Sequence, residues 1–331
     1  MPAPCDPQED DMYPHLASGY SVRSPKPEDI PAVLALLRDF DLAETGQADP
    51  LTPERILTEW DDLDVAADAW LMLAPDGQLA GYATIMDEGA GRLLADGYVH
   101  PSRQGQGVGS TILDLTEQRA AALIETQPAD ARVMLVNNVM ANSLAACNLL
   151  ERRGYALARV FFRMQIMLEE LPPAPEWPEG ISMRACDSSL EDIRRAFETV
   201  EEGFQDHWGH IPHTFEDWQK HMFADPVDPA LWFLAQEGDQ VAGVALCRAR
   251  EDGTGWINSV AVLRPWRKRG LALALLRAAF TACYQRGIRQ VGLGVDAQSL
   301  TGAQRLYERA GMHVEARIAH YEKELRAGRD L

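Results

Sequence analysis

Two stretches of this chain place glycines where a diphosphate could reach the backbone. The first reads Val99-His-Pro-Ser-Arg-Gln104-Gly105-Gln106-Gly107-Val108-Gly109, and the second Val262-Leu-Arg-Pro-Trp-Arg267-Lys268-Arg269-Gly270-Leu271-Ala272. Each follows an apolar, strand-like run and opens an apolar, helix-like run. A Cβ at the turn would hold phosphates away from the amides, and some turn positions need φ > 0. The helix that follows adds unpaired N–H groups and a partial positive charge. Gln104 in the first copy, and Arg267, Lys268 and Arg269 in the second, bring donors or charge to the rim. Neither copy is the G-x-G-x-x-G of a dinucleotide site, and neither ends in the Gly-Lys-[Ser/Thr] of a P-loop. The plainer reading of one such turn is a tight strand–helix connection without a ligand. Two copies in one context weigh against it.

A second cluster reads Glu201-Glu202-Gly-Phe-Gln-Asp206-His207-Trp208-Gly-His210. Carboxylates, imidazoles and aromatic rings together suit a cationic amine and the removal of its proton. In a fold whose acceptor site this loop covers, Glu202 would be the candidate base, with Glu201, Asp206, His207 and Trp208 as acceptor-binding residues. The plainer reading is a solvated helix end anchored by its tryptophan. His207, His210 and His213 recur at a spacing of three, which describes a helix surface as well as it describes a metal site. No metal is expected.

The elements that position these residues are themselves repeated. Trp70-Leu-Met-Leu…Gln78-Leu-Ala-Gly81 matches Trp232-Phe-Leu-Ala…Gln240-Val-Ala-Gly243, 162 residues later. The turn glycines Gly107 and Gly270 are 163 apart, and Leu149-Leu150-Glu-Arg-Arg-Gly154 matches Leu306-Tyr307-Glu-Arg-Ala-Gly311 at 157. An internal repeat fixes the architecture before anything else. The length, 331 residues, suits two domains of about 150. Leu171-Pro-Pro-Ala-Pro-Glu-Trp-Pro-Glu-Gly180 carries four prolines and reads as a linker. The expected division is a flexible tail at 1–18, a domain at 19–168, a linker at 169–180 and a domain at 181–331. Each half runs strand, helix, second helical region and hairpin. Then come the strand before the turn, a long helix (110–125; 271–286), another strand, a short helix and a last strand pair. This is a mixed α/β fold made twice.

The formal net charge is −19, from 31 Lys and Arg against 50 Asp and Glu. That excludes a nucleic-acid partner, which needs clustered cations to displace counterions. Such acidity serves solubility, or draws in a cationic acceptor. Cys5, Cys147, Cys186, Cys247 and Cys283 form no C-x-x-C, and four of them lie in apolar or helical stretches, as buried free thiols do. No apolar run reaches a membrane span and the start is no signal peptide, so a soluble, cytoplasmic protein is expected.

Val99…Gly109, Val262…Ala272 and Leu306…Met312 resemble the acetyl-CoA-binding motif and flanking pieces of the GCN5-related N-acetyltransferase (GNAT) superfamily. The resemblance covers roughly residues 20–168 and 181–325. It implies a splayed mixed β-sheet flanked by helices in each domain, opening beside the glycine turn. It also implies direct acetyl transfer from acetyl-CoA to a primary amine of a small molecule. CoA would meet Val99, Gln104, Gly105, Gln106, Gly107, Val108, Gly109, Ser110 and Asn142 in the first half. In the second it would meet Val260, Val262, Arg267, Lys268, Arg269, Gly270, Leu271, Ala272 and Ser299. The pantetheine arm would pair with the backbone at Tyr98 and Val99, or at Val260 and Val262.

The family's usual acid, a tyrosine in the short helix before the last strands, falls on Tyr307. A phenol is neutral at working pH and can donate to a thiolate. The first half has Leu150 there, so the second half is expected to be catalytic and the first degenerate. Asn258, on the strand before the second turn, could orient a water, and Tyr321 in the final strand could line the acceptor site. Among tandem members the layout resembles mycothiol synthases, although the acid expected on that strand is missing. The competing class is a CoA-binding sensor or scaffold without turnover. A monomer or homodimer is expected, because paired halves can satisfy the surfaces that single-domain relatives use to dimerise.

Overall fold

The structure is a computed structural model, and residues 13–299 and 302–330 are described. Cys5, and residues 1–12 of the segment read as a tail, lie outside the described residues. The chain forms two compact units, one of residues up to Arg159 plus Ile318–Leu331, the other Val160–Arg317.

The first unit begins with β1 (Ser21–Arg23), α1 (Ile30–Thr45), α2 (Pro53–Asp61) and a single turn, α3 (Val65–Asp68). Then come β2 (Ala69–Leu73), β3 (Leu79–Gly89), β4 (Arg92–Val99), α4 (Val108–Leu123), β5 (Val133–Met140) and α5 (Leu144–Arg152). β6 (Ala156–Met167) leads into the second unit. There follow β7 (Ile181–Ala185), α6 (Leu190–Phe204), α7 (Phe215–Met222), β8 (Trp232–Glu237), β9 (Gln240–Ala249) and β10 (Gly255–Val262). α8 (Leu271–Gln285), β11 (Gln290–Asp296), α9 (Ala303–Arg309) and β12 (His313–Arg326) complete the chain.

Both units have the same strand order. In the first, β1 to β4 are successively antiparallel, β4 and β5 are parallel, and β12 from Ile318 onward lies antiparallel to β5. In the second, β7 to β10 are successively antiparallel, β10 and β11 are parallel, and β6 lies antiparallel to β11 through Phe161 to Met167. The strand that closes each sheet therefore comes from the other half of the chain. A division in chain order at 169–180 and the division by packing differ in that one exchange. Residues 169–180 contain no regular helix or strand.

One device recurs at the start of each unit. Arg23 forks onto Asp29 (2.7 Å at both nitrogens), and Arg184 forks onto Asp192, with Nη2 at 2.6 Å. Each pair ties the end of the first strand to the start of the helix region that follows. The arginine beside each aspartate holds that carboxyl below the ordinary range, to about 2 for Asp192. A bidentate, charge-assisted pair is among the stronger hydrogen-bonded contacts available.

Two layers cover the second sheet. Leu271, Leu275, Leu276, Ala279 and Phe280 of α8 pack on Ile257, Val291 and Leu293. On the other face Ile193, Ala196, Phe197 and Val200 of α6 pack on Leu234, Val244 and Ala261. Cys186, Cys247 and Cys283 are buried free thiols, and Cys147 is half-buried. Residues 13–18, expected to be loose, instead pack on α4. Tyr13 and Leu16 contribute apolar surface to the cluster of Met72, Val108, Ile112 and Leu115, and that burial holds the segment down.

Candidate functional site

The site in the second unit starts from a failure of pairing. β10 and β11 pair only at Gly255↔Val291, Trp256↔Gly292 and Ile257↔Leu293. From Asn258 onward the edge of β10 that faces β11 is open. On its other edge β10 pairs with β9 in one register up to Ile257↔Cys247 and resumes one residue out at Ser259↔Leu246. Asn258 is the extra residue of a β-bulge. Such a bulge bends its strand and releases backbone groups from the ladder. The first unit opens in the same way, with β4 and β5 pairing only from Arg92↔Met134 to Ala95↔Asn137. Its β3–β4 register, however, runs unbroken from Gly81↔Val99 to Asp87↔Leu93.

Beyond the open edge lies the glycine turn. Gly107 and Gly270 occupy the N-cap positions of α4 and α8 with φ of 84° and 89°, and neither helix has a side-chain cap. The first-turn N–H groups thus lack side-chain caps, as an anion site requires. Where the first turn has Gly105 (φ 76°), the second keeps Lys268 at φ 63°. The left-handed region is unfavourable for a residue with a Cβ. The turn holds that strain where it would serve a ligand.

The surroundings of the two turns differ. A Cβ built at Gly270 meets nothing within 4 Å. One built at Gly107 would stand 1.5 Å from the His15 carbonyl oxygen. The Ala17 N–H donates to the Gln106 carbonyl (3.1 Å), and the Tyr20 hydroxyl donates to the Gln106 side chain. The segment ahead of β1 therefore lies on the first turn. Gln104 and Asn142 are exposed, and Gly109 sits 3.4 Å (as its Cβ would) from Leu149.

Two of the three cations expected at the second turn are turned elsewhere. Arg267 Nε donates to the Val262 carbonyl (3.0 Å), Nη2 to the Gly203 carbonyl (3.1 Å), and Nη1 to Asp206 (3.0 Å). Arg269 reaches Glu237 and the Glu179 carbonyl. Arg267 is a bracket between β10 and the end of α6, and Arg269 pairs away from the turn. Lys268 is exposed and makes no ion pair among the described residues. Ser299 is half-buried, its N–H donating to the Asp296 carbonyl (3.1 Å).

The acid-rich loop after α6 spans the opening. Asp206 is bound by Arg264 (2.5 Å) and Arg267, both just past β10. The Trp208 ring lies 6.5 Å from Phe161, whose register partner is Asp296 at the end of β11. Hydrogen bonds from Arg264 and then Arg267 pull the Asp206 carboxyl down to about 2, so it holds the loop and does not serve as a base. Glu201 is half-buried between His210 (3.5 Å) and His213 (3.4 Å). Glu202 is exposed. His207 is half-buried, its ring 4.2 Å from Phe204. Among the described residues, no group of three His, Cys, Asp or Glu stands at metal-binding spacing, and no helix is long and apolar enough to cross a membrane.

Tyr307 is 9 % exposed in the core beneath α8, and burial raises its hydroxyl to about 12. It is a neutral phenol at any working pH. Leu150 takes the matching place in the first unit, 3 % exposed. Tyr321 is not in the second unit at all. It pairs with Asn137 of β5 and donates to Glu151 (3.0 Å), because β12 closes the first sheet.

Sequence reasoning passed over one residue that its own offset reaches. Asp96 of β4 falls opposite Asn258 or Ser259 at spacings of 162 and 163. It is half-buried beside Tyr98, and burial, then Glu59 and Glu88, raise its carboxyl to about 6.

Comparison with known proteins agrees with this geometry. The pattern of the Acetyltransferase (GNAT) family matches residues 33–155 and again 190–312. A mycothiol acetyltransferase of Thermobispora bispora is 30% identical over 294 residues, covering 86% of this chain and 92% of its own. One of Geodermatophilus obscurus is also 30% identical, over 86% and 91%. The crystal structure of a GCN5-related N-acetyltransferase from Sphaerobacter thermophilus is 41% identical, covers 96% of this chain and 99% of its own, and superposes with a TM-score of 0.81. A tandem GNAT protein from the clavulanic acid biosynthesis pathway shares the fold at TM-score 0.68 and 15% identity.

Proposed function

Since this chain belongs to the acetyltransferase (GNAT) family, and is thus an acyltransferase whose co-substrate is acetyl-CoA, we propose that it acetylates a primary amine of a small molecule and does so in its second unit. The carrying observation is the coincidence there of a bulged, open β10 edge with a turn glycine, Gly270, that has open space at its Cβ position among the described residues. The open edge from Asn258 to Val262 offers backbone groups to the pantetheine amides. The N–H groups at Gly270, Leu271 and Ala272 face the diphosphate, with Lys268 as the free charge at the rim. Co-substrate binding supplies an activated thioester carbonyl, and backbone N–H groups of the released strand stabilise charge on its oxygen. Asn258 orients a water or the amine. Tyr307 is the proton donor to the departing thiolate. The loop at 201–210, tied down at Asp206 and Trp208, excludes water and bounds the acceptor pocket.

The identity of about 30% across nearly the whole chain favours one acceptor over others, the unacetylated precursor of mycothiol. The test is release of free CoA thiol from acetyl-CoA on addition of that precursor, and of other primary amines, with a mass shift of one acetyl group on the acceptor. Acetyl-CoA binding without thiol release for any amine would favour the sensor reading instead.

A further inference from the structure

We propose that His207 is the base that takes the proton from the incoming ammonium, an inference that rests on acetyl transfer in the second unit. Three observations lead to it. The strand before the turn offers Asn258 and Ser259, neither of which can hold a proton at neutral pH. The loop carboxylates are engaged or outside, with Asp206 in its arginine pair, Glu201 between two other histidines, and Glu202 exposed. His207 lies between the two anchors that stretch the loop over the opening, Asp206 on the β10 side and Trp208 on the β11 side.

Its ring is half-buried against Phe204. Its N–H and carbonyl close the loop onto Phe204 and His210, and its ring nitrogens form no hydrogen bond among the described residues. The groups that face it are Arg267, His210, Asp296 and Asp206. Burial first, then the Arg267 and His210 charges, lower its pKa from the ordinary value, against the pull of Asp296 and Asp206. The imidazole is therefore neutral at physiological pH and has a free lone pair.

The step balances with the residues named. His207 takes one proton from the ammonium, and the freed lone pair forms the N–C bond. As the C–S bond breaks, the sulfur takes the Tyr307 proton. The tyrosinate regains one from the new amide nitrogen, and the imidazolium gives its proton to water. One proton is released per turnover.

The experiment compares wild type, His207→Gln and His207→Ala in acetyl-CoA affinity by calorimetry and in thiol release with the best primary amine of a panel. The expected result is unchanged acetyl-CoA affinity and a kcat/KM lower by about 10²-fold or more. The acidic limb of the wild-type pH profile should disappear, and added imidazole should restore turnover in His207→Ala. Turnover within about threefold of wild type with the same acidic limb, or a loss that imidazole does not restore, overturns it. Should no amine release thiol from wild type, the acetyl-transfer reading fails first. The His207 ring proton resonance then decides separately. It should titrate below free imidazole and move when acetyl-CoA is added; failure to do either overturns the placement of this side chain at the site.

Discussion

The first unit has the fuller set of turn glycines and an acid on the strand before them, whereas the second has a bulge, a buried phenol and a turn glycine with open space at its Cβ position among the described residues. Counting motif residues would favour the first unit. One of its glycines is already engaged. Gly107 makes room for the carbonyl of His15, so the same lack of a Cβ that suits a phosphate here accommodates the protein's own backbone. A glycine turn can serve an anion only where the chain leaves room over it. The halves also differ at matching places, with Leu150 where the other half has Tyr307, and Asn258 or Ser259 where the other has Asp96.

The comparison yields a ranked set of expectations. The largest effect is on binding. Calorimetry should find one acetyl-CoA per chain, abolished by Gly270→Trp and untouched by Gly107→Trp, which displaces only residues 13–18; a second site lost with Gly107→Trp would show that the first turn opens. Next, Tyr307→Phe should lower kcat by about 10²-fold or more while leaving acetyl-CoA affinity unchanged; full turnover in this variant removes Tyr307 from the reaction.

Asp96 gives a smaller, pH-dependent effect. Its carboxyl pKa is raised in the folded chain, from 3.8 to about 6. The folded state therefore holds that proton more tightly than the unfolded one. Its favourable contribution is complete below about pH 4 and is lost as pH rises through 6. Asp96→Asn should raise the stability of the first unit by about 1–2 kcal/mol at pH 7 and by almost nothing at pH 4. Urea melts at the two pH values would check this, and an equal gain at both would show the carboxyl to be solvated. The smallest effect is at Lys268. Relieving its φ of 63° with Lys268→Gly should stabilise the second unit by about 0.5–1 kcal/mol. The same change should weaken acetyl-CoA binding modestly, by removing the rim charge.

Much of this was readable from the residues. The offsets of 162 and 163 located both hairpins and both turns, and the 157 offset located Tyr307 and Leu150. Asp96 lay within reach of the same arithmetic. The strand exchange was not readable, because β5 and β11 present equivalent edges and local pattern cannot say which of two matching strands will close which sheet. That ambiguity alone misplaced Tyr321. The roles of Arg267 and Asp206 were hidden for another reason. Residues 61 apart in sequence meet only after α6 has packed on β10, and a charge that looks free in sequence is then used up as a bracket. The cover on the first turn left no motif, since its closest contacts, the His15 carbonyl against Gly107 and the Ala17 N–H to Gln106, are made by backbone, and the side chains that help, Tyr13, Leu16 and Tyr20, are scattered.

The closing strand of the first sheet also sets an order of events during synthesis. β5, Val-Met-Leu-Val-Asn-Asn-Val-Met, is a largely apolar strand that emerges from the ribosome with one edge of backbone N–H and C=O groups unpaired. Its partner, Ile318 to Arg326, comes after every strand of the second sheet in the chain. The first unit is thus completed only after every strand of the second sheet is available. Until then a nascent chain carries an open edge of the kind that recruits other strands, and β6 is the strand nearest to it in sequence.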